Sequence, residues 1–320
     1  MARNSTWTRK KGSAFFCFLL LLVLTPPIFH PELRNSTAQA TSDLTEARVA
    51  IYNCDRLDNF SFTACIHLFE WMNATVDLVT GAEIQQGVLN TFDLLVLPAF
   101  GPSSYERELT PVGKERIRQF LVTGGSLFTI CRGTEFAVTC LGIIDATLHY
   151  IGSIGVQCHD THNGELECTE MIVNHASAGP DLAEEPGSYM VFTTGAQYFE
   201  IHGPTEVIPI LSYAETGLPG VIVFRYGQGT VMLSSPHPEF EEGDNRDGLS
   251  VDNLVHWPTY QHLQDPDSEW DLLKKVAWWL IDASPGIPAN VYSGPLFLIG
   301  GAVALLFTTI LILEFRKRRK

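Results

Sequence analysis

Between residues 48 and 130, short apolar runs alternate with helically spaced segments. The runs are residues 48–53 (RVAIYN), 75–80, 92–98 (FDLLVLP) and 126–130 (SLFTI). Residues 62–72 have helical spacing, and residues 111–122 carry Ile117, Phe120 and Leu121 with charges between them. Strands that lie parallel need crossovers long enough to hold a helix, and such sheets are covered on both faces. The alternation therefore predicts an α/β domain with a parallel sheet.

The second half reads as more β-rich. Residues 154–158 and 166–173 flank a polar turn containing Asn163-Gly164, a hairpin signal. Residues 207–213, 221–225 and 230–234 are further strands, the last two turned by Gln228-Gly229. Asp267 or Ser268 caps a helix running through Leu280, with Trp270, Leu273, Ala277 and Leu280 on one face.

The two ends differ from the middle. Residues 1–12 are basic and residues 14–24 are uncharged and apolar, the pattern of a secretory signal. Residues 1–30 are read as a signal peptide, cleaved after Ala38-Gln39-Ala40, or as an N-terminal anchor, and 31–46 as a linker. Residues 296–313 form an 18-residue uncharged stretch, about 27 Å as a helix. The expectation is a transmembrane helix at 295–315, preceded by a spacer at 283–294 and followed by a cytoplasmic basic tail at 316–320. The bilayer is then a partner, and the globular domain, residues 47–282, lies outside the cell.

Of the 21 basic residues, 11 lie between residues 41 and 313, against 34 of the 36 acidic ones. The middle thus carries a formal charge of −23, which repels phosphate backbones and excludes nucleic acid as a partner class. Sequons at Asn35, Asn59 and Asn73 are glycosylation candidates if the domain is exported. Export also permits disulfides. Cys158 and Cys168 flank the predicted hairpin and are a candidate pair; with His159 and His162 they also admit a zinc reading. Cys54 and Cys65 form a second possible pair. No cofactor and no metal is assigned. Residues 241–248 (EEGDNRDG) read as a solvated acidic loop.

The segment Gly124 to Thr134 (GGSLFTICRGT) carries the chemistry. An apolar strand runs directly into Cys131, then a small residue, then a helical pattern. This is the layout of a nucleophile elbow, in which a tight strand-to-helix turn lifts a side chain above the sheet edge. A helix N-terminus beside a thiol favours its thiolate. The backbone N–H of Arg132 would face a developing oxyanion. The Arg132 side chain either binds a substrate carboxylate or pairs with an acidic neighbour such as Glu135.

A cysteine nucleophile needs a base, and the base needs an orienting group. Downstream, after the last strand, comes Ser234-Ser235-Pro236-His237-Pro238-Glu239. Residues i and i+2 of an extended segment point the same way, so Glu239 can hold the His237 ring.

Cys131 in an elbow followed by this His-Pro-Glu resembles the class I glutamine amidotransferase-like superfamily. Within it, the sequence is most similar to the family related to the N-terminal domain of biotin-protein ligases. The resemblance rests on Leu97-Pro98-Ala99-Phe100-Gly101, on Gly124 to Gly133, and on Gly227-Gln228-Gly229 leading to His237-Pro238-Glu239. It implies a flavodoxin-like three-layer α/β/α sandwich and a triad of Cys131, His237 and Glu239. It also implies a second oxyanion N–H from Phe100 or Gly101. Two departures stand out. Thr129 occupies the first glycine position of the superfamily's Gly-x-Cys-x-Gly, and Pro-Ala-Phe-Gly replaces its Pro-Gly-Gly loop.

Two functions follow as expectations. One is a membrane-anchored extracellular cysteine amidohydrolase or peptidase-like hydrolase acting on a small amide or peptide. The other is a catalytically silent domain of the same plan that binds a ligand or protein at the cell surface.

Overall fold

The structure is a computed structural model, and it describes residues 43–54, 60–150, 167–195, 197–241, 246–249 and 267–284. Through the first half the chain runs β1 (Arg48–Tyr52), α1 (Phe60–Trp71), β2 (Thr75–Val79), α2 (Gly81–Gln86), β3 (Leu94–Leu97), α3 (Pro102–Val122), β4 (Ser126–Ile130) and α4 (Arg132–Phe136). There follow β5 (Ala146–Tyr150), β6 (Glu167–Val173), β7 (Ser188–Thr193), β8 (Gln197–Ile201), β9 (Val207–Tyr213), β10 (Pro219–Tyr226), β11 (Gly229–Ser234) and α5 (Trp270–Asp282).

Nine strands form one mixed sheet in the order β2-β1-β3-β4-β11-β10-β9-β6-β7. The first five run parallel. The rest are antiparallel. The parallel part has the 2-1-3-4-5 order of a doubly wound sheet, with β11 as its fifth strand. β5 and β8 pair separately as an antiparallel ribbon. The expected α/β sheet is present, and its antiparallel extension makes it mixed rather than parallel throughout.

Alternation sends successive side chains of each strand to opposite faces. Val49, Ile51, Leu94, Val96, Phe128 and Ile130 join one core with α1 and α5. Ala50, Tyr52, Leu95, Leu97 and Leu127 join a second core with α3 and α4. Every residue of β3 and β4 is buried, which is why those runs read as continuously apolar. α3 breaks at Thr110 (φ 56°, ψ 177°), just before Pro111, whose ring cannot continue the upstream helix.

Helix α5 closes the first core. Trp270, Leu273, Ala277 and Leu280 are buried, as the periodicity predicts. Ser268 Oγ accepts the N–H of Trp270 at the start of the helix. At its end, Ser126 Oγ (2.8 Å) and Thr230 Oγ1 (2.6 Å) donate to the Leu280 carbonyl, one of the four that a helix leaves unsatisfied. The helix is thereby pinned to the first residue of β4 and the second of β11.

Several expectations need correction. Leu44 lies in the core and its N–H donates to the Met72 carbonyl, so the end of the expected linker belongs to the body. Ser284, at the start of the expected spacer, is buried as well. The acidic loop is not solvated at its described ends. Glu241 and Asp247 are buried, Arg246 bonds to Glu241, and Asp247 accepts the N–H groups of Glu241 and Leu249. No disulfide joins any two of the described cysteines, Cys54, Cys65, Cys131, Cys140 and Cys168. Cys54 instead donates to Glu108 (3.0 Å). Cys158 and the hairpin at Asn163-Gly164 lie outside the described residues, as do Asn35, Asn59, the N-terminal signal and the segment 295–315. Asn73 is exposed, in a positive-φ turn (61°) before β2. Among the described residues no helix is long and apolar enough to cross a membrane, and no group of His, Cys, Asp and Glu could hold a metal ion.

Candidate active site

β4 and β11 are parallel neighbours, with Ile130 opposite Ser234. The segments bearing Cys131 and His237 therefore leave the sheet side by side at the carboxyl ends of its strands, where ligands of such sheets bind. Cys131 N–H donates to the Ser234 carbonyl (2.7 Å), and Thr134 Oγ1 donates to the same oxygen (2.7 Å).

Cys131 adopts φ 47°, ψ −109°, which L side chains rarely take and which costs about 1–3 kcal/mol. The sharp turn allows α4 to begin at once with Arg132. Gly133 then lies against the carbonyls of Leu97 and Pro98, leaving no room for a side chain. Thr129 fits where the related pattern has glycine because its hydroxyl is taken up locally. It lies 2.6 Å from Thr134 Oγ1 and donates to the Met232 carbonyl (3.2 Å).

His237 and Glu239 are 4% and 0% exposed. His237 Nδ1 lies 2.9 Å from Glu239 Oε1. The imidazole stacks on Phe240, with ring centroids 4.9 Å apart and planes 3° from parallel. His237 N–H donates to the Phe192 carbonyl (2.7 Å), an isolated antiparallel bridge to β7. Behind the carboxylate, Trp270 Nε1 donates to the Glu239 carbonyl (3.1 Å). Arg246 lies over the Trp270 ring, 5.0 Å from its centroid. The base and its orienting carboxylate are thus held by stacking, by a strand and by helix α5.

The electrostatics follow from this packing. Burial disfavours the Cys131 thiolate, but the charge of His237 and hydrogen bonds with His237 and Thr194 outweigh it, and the thiol sits below its usual range. Burial likewise disfavours the imidazolium. The charges of Cys131 and Glu239 outweigh that and raise His237 to about 10. Both shifts run toward a thiolate–imidazolium pair, the direction an activated nucleophile requires.

Of the residues expected to donate to an oxyanion, Phe100 is engaged elsewhere. Phe100 is corrected: its N–H donates to the Pro98 carbonyl (2.8 Å) in a tight local turn, so it is not a donor to substrate. The Ala99 N–H donates to Ser61 Oγ (3.2 Å), and Tyr105 Oη holds the Pro98 carbonyl (2.6 Å). These contacts fix the loop that ends in Gly101, the N-cap of α3. Arg132 is the first residue of α4, where N–H groups have no partner within the helix. Its guanidinium pairs with Glu135 (3.0 Å), one of the two partners expected for that side chain. One contact was not anticipated. Thr194, just after β7, places Oγ1 3.7 Å from Cys131 Sγ and 3.3 Å from His237 Nε2.

The sequence matches no protein-family model, and no curated protein is similar to it. Solved structures are similar in part. A glutamine amidotransferase from Thermotoga maritima is 16% identical, covering 74% of this chain and 96% of its own, with a TM-score of 0.44. A cytoplasmic protein from Salmonella typhimurium is 14% identical over 73% of this chain and 98% of its own, with a TM-score of 0.44. A beta-galactosidase from Bacillus circulans is 14% identical over 68% of this chain and 31% of its own, with a TM-score of 0.37.

Proposed function

We propose that this chain is a membrane-anchored hydrolase of amide bonds on the glutamine amidotransferase-like plan its motifs resemble, with Cys131, His237 and Glu239 as its triad. The observation that carries the reading is the meeting of a positive-φ cysteine at a strand-to-helix elbow with a buried, carboxylate-held histidine from the adjacent strand. The anchor is the apolar segment 295–315, with the domain outside the cell.

In the reaction, Cys131 thiolate attacks the carbonyl carbon of the amide. The N–H groups of Gly101 and Arg132 stabilise the oxyanion. His237 gives its Nε2 proton to the departing amine as the C–N bond breaks, leaving a thioester on Cys131. His237 then takes a proton from water, whose oxygen attacks the thioester; the C–S bond breaks, the acid leaves and the thiolate–imidazolium pair is restored. Glu239 holds the ring through Nδ1 and stabilises its charged form. The substrate class is a γ-glutamyl or other small amide, or a peptide.

The test uses the full chain in detergent, with γ-glutamyl-p-nitroanilide as probe. The expected result is release of p-nitroaniline, and an acyl adduct on Cys131 by intact mass, both lost in Cys131→Ala. A folded chain that forms neither and whose Cys131 also resists iodoacetamide would overturn the hydrolase, leaving the silent binding domain. Removing residues 295–320 should move the protein from the membrane fraction to the medium.

A further inference from the structure

We infer that Thr194 is a fourth member of the site, its hydroxyl donating to the Cys131 sulfur while accepting from Nε2–H of His237. This rests on the triad reading above. Thr194 Oγ1 is in hydrogen-bond contact with both groups that exchange the proton, at 3.7 Å from sulfur and 3.3 Å from nitrogen. A hydroxyl carries one proton and two lone pairs, so it can accept from an imidazolium and donate to a thiolate at once. That polarity matches the direction in which both groups are shifted, the hydroxyl accepting from the positive partner and donating to the negative one.

The placement is built rather than incidental. On one side of Thr194 the Phe192 carbonyl is held by His237 N–H (2.7 Å). On the other, Gln197 N–H donates to Ser235 Oγ (3.1 Å). Two ties to the 235–237 segment, two residues before and three residues after Thr194, clamp it beside the histidine. Gly195 (φ 81°) then turns the chain away into β8. The neighbouring Thr193 offers an internal contrast. It is 2% exposed, and its Oγ1 has no hydrogen-bond partner among the described residues. Of the two adjacent threonines, it is the second, half-buried one that reaches the thiol and the imidazole.

The experiment is iodoacetamide alkylation of Cys131 in the full chain across pH, read by mass spectrometry. Thr194→Val keeps the branched shape and removes the hydroxyl. It should raise the alkylation midpoint by about one pH unit, so that below the wild-type midpoint the rate falls about tenfold. Thr194→Ser should restore the wild-type midpoint, and Thr193→Val should leave it in place. A purely structural role for Thr194 would change melting temperature without moving the midpoint. If Thr194→Val titrates like wild type while His237→Ala is shifted, the inference fails and the triad stands. If His237→Ala also titrates like wild type, the triad reading fails and this inference with it.

Discussion

Gly133 is seated so close to Leu97 that a Cβ on the glycine would lie 2.3 Å from the Leu97 carbonyl oxygen. The Pro98 carbonyl would be 2.7 Å away. Both are backbone atoms, and the same loop is fixed by Ser61 and Tyr105, so neither side can yield cheaply. Gly133→Ala should cost about 3 kcal/mol, the upper range for overpacking. The melting temperature should drop by roughly 6–12 °C. An alanine variant that melts with wild type would show that the elbow and the loop can separate.

The pH dependence of Cys131 has a definite sign. Burial disfavours the thiolate, and the His237 charge with hydrogen bonds from His237 and Thr194 overcomes it. The alkylation midpoint of wild type should therefore fall below the ordinary thiol value of 9.0. The imidazolium partner persists up to about 10. His237→Ala leaves burial and the Glu239 charge, which oppose ionisation, against the Thr194 hydrogen bond alone, and burial is the largest of these, so its midpoint should exceed 9.0. Rates measured from pH 5 to 10.5 separate the two curves.

Relief of the strained backbone at Cys131 is measurable without chemistry. Glycine takes φ 47°, ψ −109° freely, whereas alanine does not. The greater freedom of glycine in the unfolded chain offsets part of the gain. Cys131→Gly should be more stable than Cys131→Ala by about 1 kcal/mol, or roughly 2–4 °C. The reverse order in thermal melts would mean that the turn relaxes once the sulfur is gone.

Trp270→Phe keeps a ring in the core but removes the indole N–H that bonds the Glu239 carbonyl. An acceptor left unsatisfied in the interior costs about 1–3 kcal/mol. We expect that loss in chemical denaturation, with a smaller effect on Cys131 alkylation than His237→Ala. Equal effects on both readouts would place Trp270 closer to the chemistry than its contact with the carbonyl implies.

What could be read from the sequence tracks how local its cause is. β3 and β4 were legible because both faces of each strand are buried, making Leu94–Leu97 and Ser126–Ile130 continuously apolar or small. Cys131, His237 and Glu239 were legible because an elbow and a His-x-Glu are short-range patterns. β5, β7 and β8 were missed. They are five or six residues long, and β7 follows a Gly- and Pro-containing stretch with no crossover pattern to announce it. Thr194 was missed with β7, since a threonine at a strand end looks like any β-former until the Phe192–His237 bridge is known. Phe100 was misassigned because the turn that uses its N–H is closed by a carbonyl only two residues away, which the spacing of motifs does not encode. The acidic loop misled because Arg246 bonds Glu241 and Ser268 and lies over Trp71 of α1 and Trp270 of α5, contacts that the loop's own composition does not encode.

The parallel pairing of β4 with β11 also has a kinetic meaning. Thr129 and Met232, which bond across that pair, are 103 residues apart. A contact of such separation closes a long loop, and its entropy is spent before any packing rewards it, so it forms late. A nascent chain that has emerged through β4 holds Cys131 with no imidazole beside it, at the reactivity of an ordinary thiol. On the proposed triad, activation of the thiol would arrive only when β11 docks, and truncated or misassembled copies would lack it. Reactive Cys131 is then a chemical signature of the finished molecule.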